Sequence, residues 1–120
     1  MATQTGVVIK AYPRQFDEPM NVQAGERVRV TKRDLWDNDE RYPWLWCINA
    51  QGKEGWTPES YIEMDEDGET GITTHAYSSW ELTSEVNDTV QISEEAAGWY
   101  WVTNQRGQQG WVPVSHIALC

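Results

Sequence analysis

The sequence predicts an all-β fold: two consecutive small five-stranded barrels joined by a short acidic linker. Three observations carry that expectation. The phrase "GWTPESYI" at 55–62 returns as "GWVPVSHI" at 110–117, and "WLWCIN" at 44–49 returns as "WYWVTN" at 99–104, both 55 positions later. Between such phrases run short stretches of β-branched and aromatic residues bounded by Gly, Asn and Asp, the pattern of short strands and turns. No stretch has the period of an amphipathic helix. The copies are separated by "MDEDGET" at 64–70, whose acids and glycine suit an exposed joint.

The first strand of copy one is expected at Val7–Ile9, within Gly6-Val7-Val8-Ile9-Lys10-Ala11-Tyr12. That segment answers to Gly71-Ile72-Thr73-Thr74-His75-Ala76-Tyr77, 65 positions later. "MNVQAGERVRV" (20–30) answers to "LTSEVNDTVQI" (82–92) at a separation of 62. The matches keep their order while the separation falls from 65 to 62 to 55. Copy one is therefore three residues longer in its first loop and seven longer in its second, and loops are where a duplicated fold absorbs length. Further strands are expected at Arg27–Thr31, Trp44–Asn49, Glu54–Thr57 and Ile62. "NAQGKEG" and "NQRGQQG" read as tight hairpins, with Gly52 and Gly107 available for a positive φ. The expected division is residues 6–63, a linker at 64–70, and residues 71–119. Seven extended residues reach at most about 24 Å, so the two barrels stay near each other.

Charge narrows the partners. The formal net charge is −10, which argues against nucleic-acid backbones and anionic membranes. Residues 6–63 carry ten acids against eight bases, residues 64–70 four acids, and residues 71–120 five acids against one base. Cys47 and Cys120 make no disulfide framework. Neither histidine has a nucleophile and orienting acid at matched spacing, and no glycine loop cradles phosphate, so a non-enzyme without a cofactor is expected. The start, "MATQTGVVIK", lacks the apolar stretch of a signal peptide. A cytoplasmic monomer is the expectation, unless the chain is a fragment of an exported protein.

The order of pieces resembles the Src-homology 3 (SH3) domain, twice: a strand ending in an aromatic, a long loop, an acidic turn before a β-branched strand ("GERVRV", "NDTVQI"), a Trp opening the third strand, and Gly-aromatic-x-Pro-x-Ser-aromatic-Ile. The resemblance covers residues 6–63 and 71–119. It implies recognition of an extended, proline-rich peptide in a shallow aromatic groove, since a polyproline helix is already stiff and docks at low entropic cost. Carried over by position, the groove of copy one is Tyr12, Trp44, Pro58 and Tyr61, and that of copy two is Tyr77, Trp99, Pro113 and His116. Loop acids against a ligand cation would be Asp17, Glu18, Asp37, Asp39 and Glu40 in copy one, and Glu81, Glu94 and Glu95 in copy two. Where the family's first strand contributes a further tyrosine, this chain has Lys10 or His75, expected across the groove from Tyr61 and His116 respectively. Copy one thus lacks one aromatic wall and copy two lacks two. Two alternatives stand beside peptide binding: a bacterial SH3-like module that grips cell-wall peptide or glycan, and a self-docked structural tandem with no external ligand.

His75 and His116 would then stand side by side as solvated groove residues, with a coupled, pH-dependent contact as the alternative, and without the third or fourth ligand that a metal requires. Alternation puts Trp46 and Trp101 on the outward face of the third strands, where covering by an intramolecular contact is expected, with an interface to the other copy or a partner as the alternative. Trp36 and Trp80 lie in loops expected to flank the grooves. "DLWDNDERYP" (34–43) reads as a solvated loop, because it lacks the oxygen-ligand spacing of a calcium site.

Overall fold

The computed structural model describes residues 4–120, and the N-terminal stretch read for a signal sequence therefore falls partly outside the described residues. The strands are β1 Gln4–Val8, β2 Asn21–Val22, β3 Arg27–Leu35, β4 Pro43–Ile48, β5 Glu54–Pro58, β6 Ile62–Met64, β7 Thr70–Thr73, β8 Tyr77–Ser78, β9 Thr89–Ala96, β10 Trp99–Asn104, β11 Gln109–Pro113 and β12 Ile117–Leu119. Single 3₁₀ turns interrupt them at Trp36–Asn38, Glu59–Tyr61 and Val114–His116. The expected hairpin glycines adopt positive φ, +78° at Gly52 and +80° at Gly107.

All-β architecture with five strands per sheet holds; the closed barrels do not. One antiparallel sheet runs β11-β10-β9-β1-β12 and the other β5-β4-β3-β7-β6, with β2 and β8 forming a separate two-stranded ribbon. Neither five-stranded sheet closes on itself. The 3₁₀ turn carries the chain from one edge strand to the other, β5 to β6 and β11 to β12, and no ladder joins those two edges.

The expected division into consecutive halves is also replaced. Contacts gather the chain through Asp17 with Trp80–Cys120 as unit 1, and Glu18–Ser79 as unit 2. β1, the first strand of copy one, pairs with β9 and β12 of copy two. β7, the first strand of copy two, pairs with β3 and β6 of copy one. The copies have exchanged their first strands. Residues 64–70 are accordingly no linker: they turn β6 back into β7 inside unit 2. Asp65 N–H donates to the Thr70 carbonyl at 2.9 Å, and Asp67 Oδ1 accepts from the N–H groups of Glu69 and Thr70. This is ordinary Asx turn chemistry. The chain passes between units inside the first loops of the two copies, at Asp17–Glu18 and Ser79–Trp80.

Each unit keeps its own core. In unit 1 it is built from Val8, Leu82, Val90, Ile92, Val102, Val112 and Ile117, and in unit 2 from Met20, Val22, Val28, Leu45, Cys47 and Ile62. Every second residue of β4 and β10 enters it, as period-two alternation requires.

Candidate functional site

Unit 1 assembles an aromatic cluster from both sequence copies. Tyr12 is fixed by a backbone bridge, its N–H donating to the Ser84 carbonyl (2.9 Å) and its carbonyl accepting from Ser84 N–H (2.8 Å). Its ring meets Trp99 edge-on at 5.4 Å and His116 edge-on at 5.5 Å between centroids, separations typical of favourable T-shaped pairs. Pro113 lies opposite Trp99 in the β10–β11 ladder. The Tyr12 hydroxyl donates to Glu81 Oε1 at 2.7 Å. Burial first, then the Glu81 carboxylate, hold the phenol well above its ordinary pKa, so it stays a neutral donor.

Glu81, expected to await a ligand cation, is committed to this framework. Its Oε1 also accepts from Gln15 N–H (2.9 Å), and its carbonyl accepts from Arg14 Nε (2.8 Å). The Arg14 guanidinium lies 3.7 Å from the centre of the Trp80 ring, a close cation–π contact. Asp17 is almost fully exposed and 3.9 Å from Arg14. Glu94 and Glu95 are exposed on β9, opposite Trp101 and Tyr100.

Unit 2 assembles the corresponding cluster. Trp44 opposes Pro58 in the β4–β5 ladder. Tyr61 stacks on His75 at 4.5 Å with an interplanar angle of 26°, and meets Tyr77 edge-on at 5.7 Å. The Tyr77 hydroxyl donates to the Trp56 carbonyl at 2.7 Å, and His75 Nδ1 lies 2.8 Å from Thr74 Oγ1. Glu18 is exposed and 3.3 Å from Lys53 Nζ. Asp39 is gripped by both Nε and Nη2 of Arg41, and this hydrogen bonding lowers its carboxyl to about 2. Asp37 and Glu40 are exposed in the same loop. Trp36 is half-buried there, its N–H donating to the Tyr42 carbonyl.

The exchange re-sorts the predicted neighbours. His75 and His116 do not share a cluster: His116 has its Nδ1 3.1 Å from the Lys10 carbonyl oxygen in unit 1, and His75 stacks on Tyr61 in unit 2. Lys10 correspondingly stands by His116 rather than Tyr61. Trp44 and Trp99 are buried, at 7% and 6% exposure.

Trp46 and Trp101 are half-buried, and each ring meets a tryptophan directly opposite in its own unit: Trp56 at 5.2 Å and Trp111 at 5.5 Å. Trp46 Nε1 also donates to Glu54 Oε1, and Lys32 Nζ lies 5.6 Å from the ring centre. Trp56 and Trp111 are the aromatic residues that sequence reasoning passed over. Their signal was the Gly-Trp that opens the repeated phrase. Among the described residues no group of three or more His, Cys, Asp or Glu is placed to hold a metal ion.

Residues 68–120 match the family model of the variant SH3 domain. No curated protein and no solved structure matches the chain. The matched stretch is contiguous in sequence, yet its first strand, β7, belongs to unit 2 and everything from Trp80 onward to unit 1.

Proposed function

We propose that the chain is a non-catalytic protein-interaction module, and that unit 2 takes an extended, proline-rich peptide along Tyr61, His75 and Tyr77. The observation that carries this reading is the stacked Tyr61–His75 pair beside Tyr77. It supplies two flat faces at right angles, the geometry that grips the rings of a polyproline helix. The strand exchange creates this pair, because Tyr61 and His75 come from different copies. Unit 2 is also the more acidic unit: residues 18–79 carry thirteen acids and six bases, net −7, against six acids and three bases, net −3, in the remainder. A cationic residue flanking the prolines suits that balance.

Titration with a proline-rich peptide carrying Arg or Lys, followed by amide, indole and imidazole shifts, tests the reading. Saturable shifts centred on Tyr61, His75 and Tyr77, weakened at least tenfold in His75→Ala, are expected. No shift at millimolar peptide defeats it. A second reading, a structural unit without external ligand, is favoured by the burial of Tyr12, Trp44, Tyr77 and Trp99, each at 8% exposure or less. Silence throughout the titration would favour it.

A further inference from the structure

The two exchanged strands sit in near-identical berths. Gly6 lies opposite Leu119 and Val8 opposite Ile117; Gly71 lies opposite Met64 and Thr73 opposite Ile62. A Cβ on Gly6 would fall 2.6 Å from Ile117 Cγ2, and one on Gly71 would fall 2.6 Å from Ile62 Cγ2. The backbone bonds repeat as well. Val8 N–H donates to the Asp88 carbonyl and Thr73 N–H to the Glu26 carbonyl, at 2.9 and 2.8 Å. Shape and ladder therefore do not decide which strand enters which unit, and an unexchanged pairing is available to the chain. The family match over 68–120 spans β7 together with β9 to β12, the contiguous set of strands that an unexchanged pairing would join.

The berths differ in two respects: the turn at 65–70 joins β6 directly to β7, whereas β12 lies at the far end of the chain from β1, and the buried polar contacts are not the same. In unit 2 the buried Thr73 hydroxyl donates to the Gln23 carbonyl at 2.6 Å and accepts from Glu26 N–H at 3.0 Å. The direct contact from Glu26 N–H to that carbonyl is stretched to 3.4 Å. In unit 1 the corresponding Asp88 N–H reaches the Glu85 carbonyl at 3.0 Å without a side-chain hydroxyl between them, while both turns share a carboxylate cap, Glu85 N–H to Asp88 at 2.9 Å and Gln23 N–H to Glu26 at 3.0 Å. That turn closes by itself around Val8, which is fully buried. Undoing the exchange would set the Val8 methyls against Glu26 N–H and the Gln23 carbonyl, and would bring the Thr73 hydroxyl into the apolar berth of Val8.

We propose that Thr73, with Val8 at the equivalent place, selects which first strand each unit receives and so which half-clusters are joined. Selection at this position puts Tyr12 with Trp99 and His116, and puts Tyr77 and His75 with Tyr61. The significance for ligand choice rests on the peptide-binding reading above, but strand choice itself is measured without ligand.

The experiment is to refold the whole chain from denaturant and record Hα–Hα cross-peaks. Opposed residues that are not hydrogen-bonded to each other come closest in antiparallel sheets. Val8–Ile117 and Thr73–Ile62 cross-peaks mark exchange; Val8–Ile62 and Thr73–Ile117 mark its absence. The wild type should show the first set. The double variant Val8→Thr/Thr73→Val, which only trades the two side chains, should show the second set. The ratio of pairings should move by roughly 5–30-fold or more, the change that losing a buried hydrogen bond or two produces. Thr73→Ser keeps the hydroxyl and should behave as wild type. Should the double variant not fold, Thr73→Val alone is read in the same way. Exchange-only cross-peaks in the double variant or in Thr73→Val, or unexchanged cross-peaks in the wild type, overturn the proposal.

Discussion

Thr57 offers a test of how the two units differ inside. Its side chain is fully buried, and its Oγ1 is a buried side-chain oxygen without a hydrogen-bond partner. The neighbouring polar group is the Cys47 thiol, which burial pushes up to about 11 against the opposing pull of the Thr57 hydroxyl. Sulfur is a weak acceptor and no substitute for an oxygen partner. Unit 1 has Val112 and Val102 at the equivalent places, both fully buried. Thr57→Val keeps the β-branched shape and replaces an orphaned hydroxyl with a methyl. An unsatisfied buried polar group costs about 1–3 kcal/mol, so a gain of about 1–2 kcal/mol is expected. With a urea slope of about 1–3 kcal/mol/M, the midpoint should rise by roughly 0.3–2 M. The converse change, Val112→Thr, should lower it by a comparable amount. An unchanged or lower midpoint for Thr57→Val would refute the reasoning, because the hydroxyl must then have a partner that makes it worth burying.

Three further outcomes are expected. Ala97 has φ of 47° beside Gly98 at 89°, in the two-residue turn between β9 and β10. A left-handed L-residue costs about 1–2 kcal/mol and glycine returns about 0.5–1 of that in chain entropy, so Ala97→Gly should raise the denaturant midpoint slightly while Ala97→Val lowers it. Asp88 is held below the usual carboxylate range, first by Glu85 N–H and then by Gln105, and Asp39 and Asp67 are lowered as well. A carboxyl depressed on folding contributes stability above its unfolded pKa, about 3.9 for Asp, and loses it as pH falls through the folded value. Stability should therefore fall below about pH 4, with a shallower fall in Asp88→Asn, as read by denaturant midpoints from pH 7 to 2. Cys47 is fully buried and Cys120 exposed, so a thiol reagent should modify Cys120 in the native protein and both cysteines after unfolding; native-state modification of Cys47 would contradict its burial.

Strands were legible to within a few residues wherever alternation was strong. Trp44–Asn49 was expected and Pro43–Ile48 is found; Glu54–Thr57 was expected and Glu54–Pro58 is found. β3 runs to Leu35, beyond the expected Thr31, because it continues alongside β4 as far as Pro43. Strand partnership was not legible. "GVV" and "GIT" carry the same pattern, and periodicity does not encode that one pairs with β9 and β12 while the other pairs with β3 and the nearby β6. The stretch 64–70 was misread for a related reason. Its Asp and Gly are turn residues in any context, and the repeat boundary suggested a joint where the chain makes a hairpin. The grooves inherited both errors, since each was assembled from one copy instead of two.

The exchange changes what divergence between the copies means. Compared along the sequence, Lys10 belongs with Tyr61 and His75 with His116, so that copy one lacks one aromatic wall and copy two lacks two. Paired as the strands are, Lys10 stands with His116 and His75 with Tyr61. One cluster then gains a stacked ring pair and the other a cationic edge beside an imidazole. Substitutions in the first strand of one copy thus alter the cluster centred on the other copy's tryptophan. A variant at His75 should perturb Tyr61 and Trp44, and a variant at Lys10 should perturb His116 and Trp99. Neither result follows from two independent consecutive domains.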